Sequence, residues 1–435
     1  YGTLDGFVIA LDAATGKEKW VVKHAWPEKG ETITSAPLIA ENLVIIGFGG
    51  DEFAARGRVT AYDLADGKKV WDCHSTGSDK DVCLSKDTNK ANPHYGTAGK
   101  DLGVHTYPTR EGEEQHPEGE WKIGGGAYWA WGSYDPELKL VYWATGNPGH
   151  WSPSYRCGAK THDECNTGDW DNKWSMTIFA RKVDTGEVAW AYQMTPFDEW
   201  DFDGVNENIL VDMEVKGTKQ PVLVHFDRNG FAYTINRKTG IPLVAEKYDP
   251  VVNWTTGVDL DPDSPDYGRP SVVAEKSTFQ QGQDVNTTNI CPAALGTKDQ
   301  QPASYSRKNG LFYVPTNHVC MDYEPFKVTY TAGQPYVGAT LSMYPPKGET
   351  NMGNFIAWDA ANGKIVWSKP ERFSVWSGAL TTAGGIACYG TLEGYFKCVD
   401  QKDGSELYKY KAPSGIIGNV MTYEHDGKQY LAVYS

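Results

Sequence analysis

Nowhere in this 435-residue chain does an apolar run approach the eighteen or so residues that a membrane-spanning helix needs, so no membrane span is expected. Long stretches of i, i+3, i+4 apolar spacing are missing too, which argues against helical packing. Positive charge is in deficit: 41 Lys and Arg stand against 56 Asp and Glu, a formal net charge of −15. Such a balance argues against nucleic acid or an anionic membrane as partner. There is no Cys-x-x-Cys and no Cys/His cluster of the kind structural zinc requires. The chain opens at Tyr1, inside a strand-like segment, with neither an initiator Met nor a signal peptide. That opening reads as a processed or truncated chain.

What the sequence does contain is aromatics and glycine: 16 Trp, 25 Tyr and 47 Gly. This composition favours many short strands joined by tight turns. Eight cysteines fall into the neighbour pairs Cys73/Cys83, Cys157/Cys165, Cys291/Cys320 and Cys388/Cys398. With zinc disfavoured, local disulfides in an oxidising compartment are the better reading. Cys388 and Cys398 flank the turn-like Leu392-Glu393-Gly394 and are placed to face each other across a hairpin.

One pattern recurs along the chain: an alternating strand, then Asp, a turn with Gly, charged residues and an aromatic. It appears at Val8 to Trp20, Val59 to Trp71, Phe355 to Trp367 and Phe396 to Tyr408, with looser copies at Phe179 to Trp190 and Ala232 to Leu243. Each copy reads as a hairpin: alternation gives a half-buried strand, Asp opens the turn, and Gly accepts positive φ. Units that cannot bury both of their own faces stack on copies of themselves, and strand units stacked in a ring make a propeller. A β-sandwich with similar turns is the alternative, but six copies are too many for it. The predicted fold is therefore all-β, a β-propeller read as one domain over residues 1–435. Insertions between copies, after Trp71 and after Leu243, should gather on one face and carry function.

The most informative stretch is DEWDFDGVNEN, Asp198 to Asn208. Asp201 and Asp203 lie two apart, so in an extended segment both point the same way. Like charges held together call for a cation or a proton. A solvated acidic loop is the plain alternative, but Trp200, Phe202 and Val205 make the segment too apolar for it. A site for a hard, oxygen-seeking cation fits better. Glu52, just after the Gly-rich end of a strand, and Asn147, in a Gly-Asn-Pro turn, are further oxygen donors in unusual settings; alone, each is weak.

These stretches together resemble the pyrroloquinoline quinone (PQQ)-dependent alcohol dehydrogenases, most closely the large subunits of methanol dehydrogenases. The likeness covers the whole chain. It includes TSAP at Thr34, GGDE at Gly49, WAWGSYDP at Trp129, TGNP at Thr145, PFDEWDFDGVN at Pro196, HFDRNGFAYTINR at His225 and VGATLSMYP at Val337. By this resemblance Glu52, Asn147 and Asp201 correspond to metal ligands beside the quinone, and Asp201 to the general base. Trp129 corresponds to the indole on which the quinone stacks. Thr34, Arg228, Asp299 and Trp376, with backbone near Gly49 and Gly50, correspond to groups that hold the quinone. Read without the family, Trp129 and Trp376 would be blade-packing aromatics and Arg228 an ion-pair partner.

Asp203 bears on the metal. Calcium-using relatives carry a small residue two places after the base, whereas lanthanide-using ones carry Asp, as here. A further carboxylate suits a trivalent, high-coordination ion, with calcium the alternative. The resemblance thus implies oxidation of methanol or another primary alcohol to the aldehyde, with PQQ and a lanthanide as cofactors. It further implies a soluble cytochrome c as electron acceptor, a homodimer, a periplasmic location and an eight-bladed ring in the complete protein. A calcium-dependent ethanol or alcohol dehydrogenase of the same fold, and a non-catalytic propeller scaffold, are the competing readings. The chain departs from the family pattern in five respects. It has no Cys-Cys ring and no upstream quinone-contacting Arg, and segments at both ends of the family's chains have no counterpart. Ala127 stands in place of Thr or Ser, and a longer segment between Asn147 and Asp171 holds Cys157, His162 and Cys165, expected to form a disulfide-pinned loop near the active-site entrance.

Overall fold

The computed structural model describes residues 1–92, 99–107, 119–157, 161–165, 168 and 170–435. Its backbone is organised by the recurrent hairpin. All six copies form antiparallel strand pairs, beginning with Phe7–Leu11 against Glu18–Lys23. The motif's polar residue does what the sequence suggested: Asp12 Oδ1 accepts the amides of Ala14 and Thr15, and Asp359 Oδ1 those of Ala361 and Asn362.

Five of these hairpins are the outer halves of four-stranded antiparallel sheets. Blade 1 comprises Leu38–Ala40, Leu43–Ile46, Arg58–Asp63 and Lys69–His74, and blade 2 Ser133–Asp135, Leu140–Ala144, Thr177–Lys182 and Val188–Gln193. Blade 3 comprises Asn208–Val215, Thr218–Phe226, Phe231–Asn236 and Pro242–Lys247. Blade 4 is built from Ser304–Tyr305, Phe312–Asn317, Gly353–Asp359 and Lys364–Glu371, and blade 5 from Leu380–Thr381, Ile386–Gly390, Tyr395–Asp400 and Glu406–Lys411. The chain is an all-β propeller. Its innermost strands neighbour one another from blade 1 to 2, 2 to 3 and 4 to 5.

The core lies between blades, not within them. Ile45, Val59 and Trp71 of blade 1 pack with Val141, Trp143 and Phe179 of blade 2, and Val222 and Val224 of blade 3 pack with Phe312, Ile356 and Trp358 of blade 4. Each repeat Trp docks on the following hairpin. Trp71 Nε1 donates to Val183 O at 2.9 Å and Trp190 Nε1 to Arg237 O at 2.9 Å. The turn glycine of the receiving hairpin leaves room for the indole, since a Cβ on Gly186 would stand 2.7 Å from the Trp71 ring. A sequence motif separated by dozens of residues is thereby one physical contact, repeated around the ring.

Before blade 4 the chain adds a hairpin, Thr255–Val258 with Pro270–Val272, and the strand Thr287–Ile290. That strand forms a three-stranded sheet with Cys320–Pro325 and Ala339–Tyr344, an excursion between the second and third strands of blade 4. All four expected cysteine pairs are disulfides, and Cys388 lies directly opposite Cys398 in blade 5. No helix among the described residues is long and apolar enough to cross a membrane.

Candidate active site

The loops that leave the ends of blade strands converge on a pocket of about 400 Å³, lined by Pro27, Gly30, Thr32, Thr34, Gly49, Gly50, Glu52, Phe53, Trp129 and Arg228. Six residues singled out from the sequence therefore share one cleft: Thr34, Gly49, Gly50, Glu52, Trp129 and Arg228. Asp299 is placed at its side, because its Oδ1 accepts from Arg228 Nε at 3.2 Å and Nη2 at 3.0 Å. Trp376 is half-buried and is not part of the lining.

Why the cleft is open follows from the backbone. Gly49 N–H and C=O both pair with Thr32, so this glycine offers no free amide; its use is the lack of a side chain. A Cβ there would come within 3.1 Å of Trp129 Cβ, and one on Gly50, whose φ is +145°, within 2.4 Å of Gly30 O. Neither position tolerates a side chain without shifting the cleft wall. Trp129 is fixed from both ends, its carbonyl accepting from Thr34 Oγ1 at 3.1 Å and its indole N–H donating to Asp203 Oδ2 at 3.2 Å. The Arg228 guanidinium lies 5.5 Å from the Trp129 ring centre, within cation–π range.

Beneath the cleft lie the acidic residues, and their arrangement differs from the extended segment expected. Asp201 has φ +65°, in the left-handed region. Its conformation is held by the Asp198 carboxylate, which accepts the amides of Trp200, Asp201 and Phe202 at 3.3, 3.0 and 3.1 Å. Asp198 and Glu199 thus serve the loop itself; Glu199 Oε2 accepts from Ser277 Oγ at 2.6 Å and Phe279 N at 3.0 Å. Asp201 and Asp203 alone among the four turn toward Arg228, with oxygens 3.7 and 3.2 Å from Nη1. Asn147 reaches the same place through its backbone amide, 2.5 Å from Asp203 Oδ1.

The electrostatics are unusual. Burial, reinforced by Asp203, pushes the Asp201 carboxyl well above the usual range. Burial also raises Asp203 to about 7, against the pull of Arg228. Burial opposes the charge on Arg228, but Asp299, Asp203 and Asp201 outweigh it and hold the guanidinium firmly protonated. Asn147 Oδ1, Asp201 Oδ1 and Asp51 Oδ2 are buried and accept no hydrogen bond from any described residue. Buried oxygens are almost always paired, so three orphans beside one pocket call for a positive partner. Hard oxygen donors of this kind suit a hard cation. Among the described residues, however, no three His, Cys, Asp or Glu side chains already close into a coordination cage.

Two contributors were not picked out from the sequence. Asp51 lies 1% exposed, with Oδ1 accepting the Ala127 amide at 2.7 Å. Its place in GGDE, where glycines make room for something buried, was the available signal. The second is Arg156, buried, whose guanidinium spans His150 O, Asn172 Oδ1 and Asp198 O. Cys157 and Cys165, joined as a disulfide, pack with Phe197, just before the Asp198–Asp201 turn, so this pair backs the acidic loop. Residues 158–160, 166–167 and 169 of the insertion lie outside the described residues.

Known proteins resemble this chain in sequence and in fold. Residues 22–266 and 366–431 match the family model described as PQQ, glucose/ethanol/alcohol dehydrogenase, beta-propeller domain. The chain is 58% identical over 436 residues to a putative dehydrogenase XoxF of Paracoccus denitrificans, covering all of this chain and 69% of the relative. It is also 58% identical over 434 residues to a lanthanide-dependent methanol dehydrogenase of Methylorubrum extorquens, covering 99% of this chain and 68% of the relative. A solved europium-containing methanol dehydrogenase superposes with a TM-score of 0.90 at 50% identity, over all of this chain and 70% of that one.

Proposed function

The chain belongs to the PQQ-dependent alcohol dehydrogenases, and from that membership we propose that it oxidises methanol and other small primary alcohols to the aldehyde with PQQ and a lanthanide ion. The observation that carries the reading is the set of unpaired, buried oxygens beside the open cleft at Trp129.

Each residue has a role in this reading. Trp129 offers one wall to a flat ring system; Thr34, Arg228 and Asp299, with the side-chain-free backbone at Gly49 and Gly50, edge it, and Trp376 is assigned to the same cofactor by family likeness. Glu52, Asn147, Asp201 and Asp203 supply oxygen to the cation. When bound, the quinone supplies a hydride-accepting carbonyl and the cation the Lewis acidity that polarises it. Asp201 takes the hydroxyl proton of the alcohol at its carboxylate, a form that adjacent positive charge favours over the neutral acid. Arg228, tethered by Asp299, holds its Nη1 toward Asp201 and Asp203 and keeps both oriented. Burial of the carboxylates, 6% and 3% exposed, keeps bulk water from competing for the proton.

The same reading takes a soluble cytochrome c as electron acceptor, its basic surface matched to a chain of net charge −15, with a periplasmic location, a homodimer and one domain over residues 1–435. Reconstitution of the apo-protein with PQQ and either lanthanum or calcium tests it through dye-linked methanol oxidation. Activity with lanthanum is expected. Activity with calcium alone would replace the lanthanide with calcium, and none with either metal would defeat the assignment. Asp201→Asn should lower turnover by about a thousandfold with the fold intact by circular dichroism.

A further inference from the structure

Asp51 is not among the residues given a role so far, yet its geometry is that of a site residue. One carboxylate oxygen, Oδ1, is committed to the Ala127 amide at 2.7 Å, which fixes the side chain's direction. The other, Oδ2, is buried and has no partner among the described residues. It stands beside Asp203: a Cβ on Gly146 would lie 2.3 Å from Asp51 Oδ2 and 2.7 Å from Asp203 Oδ1. The bare backbone of Gly146, next to Asn147, is what lets the two carboxylates approach. Capping the Ala127 amide needs only one oxygen, and an amide side chain would do it without burying a charge. A buried carboxylate with one oxygen left over is poorly explained by capping alone.

We infer that Asp51 is a further acidic group of the cation site, one that raises its preference for a trivalent over a divalent ion. The inference rests on the cation-site reading above. Its physical basis is Coulombic: a carboxylate attracts an ion in proportion to the ion's charge, so each one added favours charge three over charge two. Asp201, Asp203 and Asp299 already surround the single guanidinium of Arg228; Asp51 deepens that excess.

The test needs metal alone, with no quinone and no turnover. Terbium binding to the apo-protein is followed by tryptophan-sensitised emission, and calcium binding by competition. Asp51→Asn keeps an oxygen for the Ala127 amide and so spares the fold; Asp51→Ser does the same as a second probe. The expected result is a fall of about ten- to hundredfold in the ratio of terbium to calcium affinity, the usual size of an outer-sphere loss. A fall smaller than about threefold in both variants, with Asp203→Asn and Asn147→Ala still weakening terbium, overturns the role of Asp51 and leaves the cation site standing. If wild-type protein fails to bind terbium, or if Asn147→Ala and Asp201→Asn leave binding unchanged, the cation-site reading falls and this inference with it.

Discussion

Asp201 and Asp203 meet at Arg228 for a reason that spacing alone did not reveal. Two-residue spacing suggested an extended strand; the chain instead turns through left-handed backbone at Asp201, and Asp198 holds it there by accepting hydrogen bonds from three backbone amides. The pairing was legible from composition, because two carboxylates among Trp and Phe must be buried. Asp51 was less legible, since a carboxylate adjoining Glu52 reads as one acidic pair until the fold separates them. Arg156 carried no signal at all: its three acceptors come from positions 150, 172 and 198. Arg156→Lys should therefore lower kcat about ten- to hundredfold with KM little changed, because a single ammonium cannot span them and the Asp198–Asp201 turn loses its backing. Steady-state kinetics beside a melting curve checks this; a fall in stability with kcat intact would reduce Arg156 to a packing role.

At the scale of elements, the recurrent hairpin was readable because every part of it is local: strand alternation, an Asp-capped turn, a glycine and a tryptophan. The inner strands of the blades carry no such motif. Ser133–Asp135 and Ser304–Tyr305 are too short to show a period, and only stacking on their neighbours makes them strands. The inter-blade contact predicts a contrast between two glycines of like backbone. Gly186, φ +73°, abuts the Trp71 ring, whereas a Cβ on Gly16, φ +70°, would meet nothing within 4 Å. Gly16→Ala should cost about 1 kcal/mol, from backbone alone. Gly186→Ala should cost about 2–3 kcal/mol more, since the indole must move as well. Urea unfolding of the two variants measures the difference, and equal losses would argue against the docking contact.

The whole molecule carries buried histidines that set its response to acid. Burial, with Arg58 nearby, lowers His24 to about 3, and burial, with Arg156 nearby, lowers His150 to about 3. Below the unfolded value of 6.5 the unfolded chain gains protons that the folded chain refuses, so stability falls as pH drops from 6.5 toward 3. The slope approaches about 1.4 kcal/mol per pH unit for each group. His318 works in the opposite direction. Burial disfavours its charge, but hydrogen bonds to Asp249 and Glu349 outweigh that and raise it, so its contribution is complete below 6.5 and fades as pH climbs through the raised value. Urea midpoints from about pH 4.5 to 8 should show a loss on the acid side that His24→Gln makes shallower.

The cleft draws its walls from separate blades: Thr34 and Gly49 border blade 1, Trp129 and Asn147 border blade 2, and Arg228 sits in the turn of blade 3. Whatever occupies it is then a clasp across neighbouring wedges of the ring, not cargo held by one of them. An ion that ties Glu52 to Asn147 and Asp201 closes the seams between the first three wedges and leaves the fifth alone. Stripping the metal with a chelator should quicken amide exchange along blades 1 to 3 and spare Ile386–Gly390 and Tyr395–Asp400, so that the scaffold and its occupant each depend on the other for rigidity.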